Sequence, residues 1–269
     1  MTDKINLFAW RSKRFLDFIF HSGTRYRIHS PFLYDLIDQV IMNGKIPGEL
    51  RPVEGLRKKC LRSKKVILKT DYGKGAGEGY STAYPVSLKH IARTSLTSRN
   101  HALRLFNLAK YMHAVNILEM GTSLGFTTAC LALANKNARV VSIEGCPELS
   151  KIATTNLASL GIQNAEIISG RFEDKLMEAM ARLGKIDLLF IDGNHRKEAV
   201  LANFEGCLPG LHNGSVVILD DIHASPGMEE AWRILSSRAD VTISLDFFHS
   251  GWLFFRKESS KEHFRLRYL

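Results

Sequence analysis

The stretch Ile117-Leu118-Glu119-Met120-Gly121-Thr122-Ser123-Leu124-Gly125-Phe126-Thr127 reads as a buried strand, a glycine turn and the start of a helix. Gly121 and Gly125 let the backbone run close to a ligand with no Cβ in the way. Glu119 can accept hydrogen bonds from a ligand's ammonium group or from the turn itself. A dinucleotide fold would place G-x-G-x-x-G here, which the turn does not supply, and a pyrophosphate would be repelled by Glu119.

Outward from this turn the chain alternates helices with short apolar strands, the pattern of a parallel, doubly wound α/β sheet. A helix is predicted over Ser98 to Met112, and strands over Val115–Glu119, Arg139–Glu144, Ala165–Ser169, Ile186–Asp192 and Ser215–Asp220. Helix-length segments begin near Phe126, Pro147, Glu173 and Glu198. Val241–Phe247 and Trp252–Arg256 flank His249-Ser250-Gly251 at a spacing suited to an antiparallel edge hairpin. In such sheets ligands bind at the carboxyl ends of the strands. Glu144 ends the second strand one helix and one strand beyond Glu119, where a carboxylate reaches ribose hydroxyls; capping of the helix near Pro147 is the alternative use. After the third strand, Phe172 can cover a base, with Glu173 or Asp174 near its amino group.

The strongest chemical pattern is acidic. Asp192 ends one strand in Phe190-Ile191-Asp192-Gly193-Asn194-His195, and Asp220-Asp221 ends the next in Ile218-Leu219-Asp220-Asp221-Ile222-His223. Carboxylates at neighbouring strand ends can converge on one hard cation such as Mg²⁺ or Mn²⁺. Such an ion would chelate a hydroxyl substrate and lower its pKa. His195 and His223 are the candidate general bases, because a neutral imidazole near pH 7 can take a hydroxyl proton.

Residues 115–256 resemble the class I S-adenosylmethionine (SAM)-dependent O-methyltransferases, in particular the catechol and caffeoyl-CoA group. The glycine motif followed by Phe126-Thr127 is similar to that group's Gly-Tyr-Ser or Gly-Tyr-Thr. The resemblance implies a Rossmann-like, seven-stranded sheet, five strands parallel and closed by the edge hairpin. It implies SAM contacts at Glu119, Gly121, Thr122, Gly125 and Glu144; Phe172 and Asp192 join them as cofactor-binding candidates, and Asp192, Asp220 and Asp221 are the candidate metal ligands. The catechol-type enzymes carry Asp, Asp and Asn as ligands, and Asp221 stands in place of the Asn. Two consecutive acids there resemble more closely the sugar O-methyltransferases of macrolide and aminocoumarin pathways. Those relatives have an Asp base where this chain has Asn194, and the catechol type has a Lys where it has His195.

The first third is different in character. Residues 1–99 hold 19 Lys and Arg against 8 Asp and Glu, whereas the remainder holds 18 against 19, so the whole formal excess of +10 lies N-terminally. We therefore divide the chain into a basic extension, 1–95, and a catalytic domain, 96–269. Ser30-Pro31 starts an amphipathic helix that stops near Asn43-Gly44. The run Arg57, Lys58, Lys59, Arg62, Lys64 and Lys65 is a solvated basic face or a phosphate-binding one. Gly73 to Gly79 reads as a mobile substrate loop or lid, since it lacks the Gly-Lys-Ser/Thr ending of a phosphate loop.

The methyl acceptor is expected to be a small molecule with a reactive hydroxyl. An RNA acceptor held by the basic region is the main rival, although no Asn/Asp-Pro-Pro-Tyr/Phe motif and no Pro-Cys nucleophile are present. A non-catalytic SAM-binding module is a further alternative, disfavoured because binding alone would not need Asp220-Asp221. Nothing in the sequence sets an oligomeric state. Cys60, Cys130, Cys146 and Cys207 show no C-x-x-C pairing, no uninterrupted signal-peptide core opens the chain, and no apolar run spans a membrane. The expectation is a cytoplasmic protein with no membrane partner.

Overall fold

The apolar runs do pair into one sheet. A computed structural model describes residues 2–72 and 82–267, so the Gly73–Gly79 loop lies outside the described residues. The elements run α1 (Thr2–His21), α2 (Pro31–Leu36), α3 (Arg51–Arg62), β1 (Val66–Asp71), β2 (Thr82–Ser87), α4 (Leu88–Thr94) and α5 (Arg99–Tyr111). Then follow β3 (Asn116–Met120), α6 (Phe126–Ala134), β4 (Arg139–Glu144), α7 (Pro147–Ser159), β5 (Ala165–Ser169), α8 (Phe172–Leu183) and β6 (Ile186–Ile191). The chain closes with α9 (Lys197–Cys207), β7 (Leu211–Asp220), α10 (Pro226–Ser237), β8 (Ile243–Asp246), β9 (Ser250–Phe254) and β10 (Glu262–Arg265).

The main sheet has the order β10-β8-β9-β7-β6-β3-β4-β5. Strands β3 to β7 are mutually parallel, as predicted, and β9 runs antiparallel to both β7 and β8. Consecutive strand residues point to opposite faces. Ile117, Val140, Leu188 and Val216 therefore pack into one apolar cluster with α5, α6 and α7, and Leu118, Val141, Leu189 and Val217 into a second with α8, α9 and α10.

One expectation needs correction. The sheet has eight strands and not seven, because β10 pairs parallel with β8 and covers the edge that the hairpin would have left open. Its residues, Glu262-His263-Phe264-Arg265, carry no apolar run that would mark a strand. Packing continues across the charge boundary near residue 95. Ile28, Leu33, Leu36 and Val40 share one core with Leu105, Ile117 and Phe254, and the Asn107 side-chain amide donates to the Val40 and Asn43 carbonyls.

The N-terminal segments also reach the far edge of the sheet. Arg11 Nε donates to the Ala224 carbonyl at 2.7 Å, Arg14 pairs with Glu229 at 2.9 Å, and Gly23 bridges Leu266. Helix starts follow their caps: the Ser30 hydroxyl accepts the Leu33 N–H, and the Ser98 hydroxyl accepts the His101 N–H. Among the described residues, no helix is long and apolar enough to cross a membrane.

Candidate active site

The sheet order reverses beside β3, and a cleft of about 700 Å³ opens there above the strand ends. The glycine turn after β3 forms its floor. Gly121 sits at φ +111°, and a Cβ there would lie 2.0 Å from the Asp192 carbonyl oxygen, so only glycine fits. Gly121 N–H donates to Ile143 O and Asp192 N–H to Met120 O, which binds the turn to both neighbouring strands. Ser123, Asn194 and Asp221 all line the cleft with positive φ despite carrying side chains. Such strain collects where a ligand must be met.

Glu144 faces the cleft, with Oε2 accepting the Ser123 N–H at 2.7 Å and Oε1 accepting the Cys146 N–H at 2.9 Å. It supports the start of α7, the alternative use considered for it, and leaves its remaining lone pairs on the side of the cleft. Burial raises its pKa, and the two N–H bonds oppose that rise. Phe172 packs beside Gly193, where a Cβ would come within 2.7 Å of its ring.

The acid trio is partly assembled. Asp192, Asp220 and Asp221 line the same wall of the cleft, and their carboxyl groups act on one another electrostatically. Burial first, then the charges of Asp192 and Asp221, lift the Asp220 pKa well above the carboxylate range. Thr97 Oγ1 donates to Asp192 Oδ2 at 3.4 Å, and His195 Nε2 stands 3.7 Å from Asp192 Oδ1. Among the described residues, no three His, Cys, Asp or Glu side chains form a ready metal centre.

Gly121, Glu144, Phe172, Asp192, His195, Asp220 and Asp221 therefore share one cleft. Glu119, Thr122 and Gly125 do not line it. Glu119 is fully buried beneath the turn, where its Oε2 accepts the Thr128 and Ser142 hydroxyls, and desolvation pushes its pKa up to about 8. Thr122 bonds Ser142 at 2.5 Å, and Gly125, at φ +79°, packs on Ala153. These three hold the turn from below. His223 is removed from the site altogether: its Nε2 lies 3.0 Å from Asp246 and its Nδ1 3.4 Å from Glu229, and its ring stacks on Phe248. Both ring nitrogens face carboxylates that do not line the cleft.

Several lining residues escaped the sequence reading. Tyr72 approaches Gly145 so closely that a Cβ there would be 3.1 Å from its ring, and the hairpin carrying it is fastened by Thr70 N–H to Cys146 Sγ. The nearby glycine run was visible, but no motif marked the tyrosine. Thr97, His101, Arg104 and His249 also line the cleft. Helical periodicity in α5 signalled core packing and gave no sign that its first turn enters a site. The basic run divides: Lys58, Lys59, Arg62, Lys64 and Lys65 are exposed, whereas Arg57 turns inward to donate to the Thr97 carbonyl at 2.8 Å.

Residues 118–222, from β3 to the loop after β7, match the family described as a methyltransferase domain. Over these residues the chain carries a methyltransferase domain. A catechol O-methyltransferase from Niastella koreensis is 30% identical to it over 128 residues, which are 46% of this chain and 57% of that protein. The chain thus spans little more than half the length of that curated relative. The O-methyltransferase TomG from Streptomyces achromogenes, involved in tomaymycin synthesis and solved with SAM, is similar at 27% identity and a TM-score of 0.51. That match covers 59% of this chain and 81% of TomG. An O-methyltransferase from Bacillus cereus in complex with S-adenosylhomocysteine shares the methyltransferase fold, with a TM-score of 0.55 at 19% identity over 81% of this chain and 96% of its own.

Proposed function

We propose that this chain transfers a methyl group from SAM to a hydroxyl of a small, hydrophilic molecule. The observation that carries the reading is the pairing of two functions in one cleft: the Glu144 carboxylate beside the glycine turn, and the Asp192–Asp220 acid pair on the adjoining wall. The residues fit SAM. A ribose-facing carboxylate, a backbone turn with no Cβ at Gly121, and the buried, protein-unpartnered Ser123 Oγ and Asn194 Oδ1 all line the space. When bound, SAM supplies a methyl carbon that leaves the sulfonium for the acceptor oxygen, giving S-adenosylhomocysteine and releasing the hydroxyl proton.

Glu144 accepts the ribose hydroxyls, and Phe172 and Tyr72 shield the base from water. His195, directed at Asp192, takes the released proton, and the carboxylate beside it stabilises the imidazolium that results. The acceptor side is lined by Thr94, Ser95, Thr97, Ser98, Asn194 and His249, with Leu96 as the apolar member, which suits a small acceptor bearing hydroxyl groups.

Asp192, Asp220 and Asp221 would hold a divalent cation, whose chemistry would be to lower the pKa of the acceptor hydroxyl. Oxygen donors of this kind suit Mg²⁺ or Mn²⁺, with water or the acceptor completing the shell. Residues 1–95 give Thr94 and Ser95 to the acceptor side and Tyr72 to the cofactor side, and residues 96–269 carry the glycine turn, Glu144 and the acids. The four cysteines are free and buried, in keeping with a reducing, cytoplasmic setting. Incubating the full chain with methyl-labelled SAM and a metabolite extract should transfer label to a hydroxylated small molecule. Transfer to RNA instead would overturn the acceptor class.

A further inference from the structure

The first turn of α5 enters the cleft without a role in the scheme above. His101 is 7% exposed, and its Nε2 is buried with no protein hydrogen-bond partner. It faces Asp220 Oδ1 at 3.6 Å, too far for a hydrogen bond and close enough for one oxygen atom to bridge the two. An oxygen about 2.8 Å from each would sit at the apex of a triangle on that 3.6 Å base. A buried nitrogen left unpaired costs free energy that a ligand oxygen would recover.

The ring is held in this orientation by its surroundings. The Ser98 hydroxyl accepts the His101 N–H, Phe190 lies 6.1 Å away centroid to centroid, and Thr97, fixed by Arg57, reaches Asp192 from the same loop. A neutral ring can donate to or accept from a hydroxyl, according to its tautomer.

We infer that His101 Nε2 and Asp220 Oδ1 together seat the reacting hydroxyl of the acceptor, making His101 an acceptor-binding residue of this enzyme. This rests on the methyl-transfer reading. His195 keeps the proton-accepting role, and His101 sets where the oxygen stands.

The test uses the full chain saturated with S-adenosylhomocysteine and titrated with 4-nitrocatechol, a small vicinal diol whose absorption changes on binding, with and without Mg²⁺. Wild type should bind the probe. His101→Phe should weaken binding about tenfold or more, a loss of one good hydrogen bond. His101→Gln, whose amide reaches the Nε2 position, should recover affinity to within about threefold. S-adenosylhomocysteine affinity should be unchanged in both variants.

Equal probe binding by wild type and His101→Phe would overturn the inference, as would no binding by loaded wild type at millimolar probe. Should His101→Phe not fold, labelled histidine resonances of wild type give the same readout: the His101 ring signals shift on adding probe, and their constancy would overturn it. Failure of S-adenosylhomocysteine to bind at all sinks the methyl-transfer reading, whereas intact cofactor binding without His101 dependence sinks this inference alone.

Discussion

Glu144 Oε2 accepts the Ser123 backbone N–H at 2.7 Å, so the end of β4 is bonded to the glycine turn at the end of β3. One carboxylate thereby shapes the turn and faces the ligand. Glu144→Ala should weaken SAM binding at least about tenfold, the loss of a charged acceptor for two hydroxyls. Glu144→Gln should lose less, because it keeps one oxygen. Calorimetry decides, and a loss under threefold for the alanine variant would place the ribose elsewhere.

His223 and Asp246 form a buried structural pair at 3.0 Å, roofed by Phe248. His223→Ala removes the nearest partner of Asp246 Oδ2 from a carboxylate that is 1% exposed, leaving Arg265 at 3.7 Å and the Phe248 N–H on Oδ1. Stability should fall by about 3 kcal/mol, and SAM affinity should stay within about twofold. Urea unfolding and calorimetry check both. Unchanged stability with loss of methyl transfer would restore His223 as a base.

What could be read without coordinates was whatever the backbone alone imposes. The run from Ile117 to Thr127, the spacing to Glu144 and the apolar strands ending at Asp192 and Asp220 fix a doubly wound sheet, because period and turn chemistry are local. β10 was invisible because its pairing is set by an open neighbouring edge and not by its own apolar content. The same blindness affects depth. Glu119 and Glu144 look alike in sequence, yet Glu119 points beneath the turn to Thr128 and Ser142 while Glu144 meets the cleft. His101 and Tyr72 come from segments whose approach to the site depends on tertiary packing alone.

Glu119 gives the fold a pH dependence. Burial raises its folded pKa from 4.5 to about 8, so the folded chain keeps a proton that the unfolded chain releases. This group's stabilising contribution is full below about pH 4.5 and is lost progressively as pH rises to about 8. Glu119→Gln places an amide N–H at the unpartnered Oε1 position and keeps an oxygen for the two hydroxyls. The variant should melt above wild type at pH 8, by a margin that narrows at pH 5. An equal margin at both pH values would show that Glu119 is ionised throughout.

The acid wall should bind a cation. Mn²⁺ titrated into the full chain should bind with one site, and Asp220→Asn should weaken it about tenfold or more. Chelator should abolish methyl transfer while leaving S-adenosylhomocysteine affinity within about twofold. Full transfer in excess chelator would instead leave the Asp192–Asp220 pair acting without a metal.

The most direct test of the whole account is a calorimetric titration of the folded full chain with S-adenosylhomocysteine. We expect one site per chain, micromolar or tighter in the manner of a preformed cleft, displaced competitively by SAM. A chain that retains its cooperative unfolding transition yet shows no heat and no thermal stabilisation with either compound would contradict it.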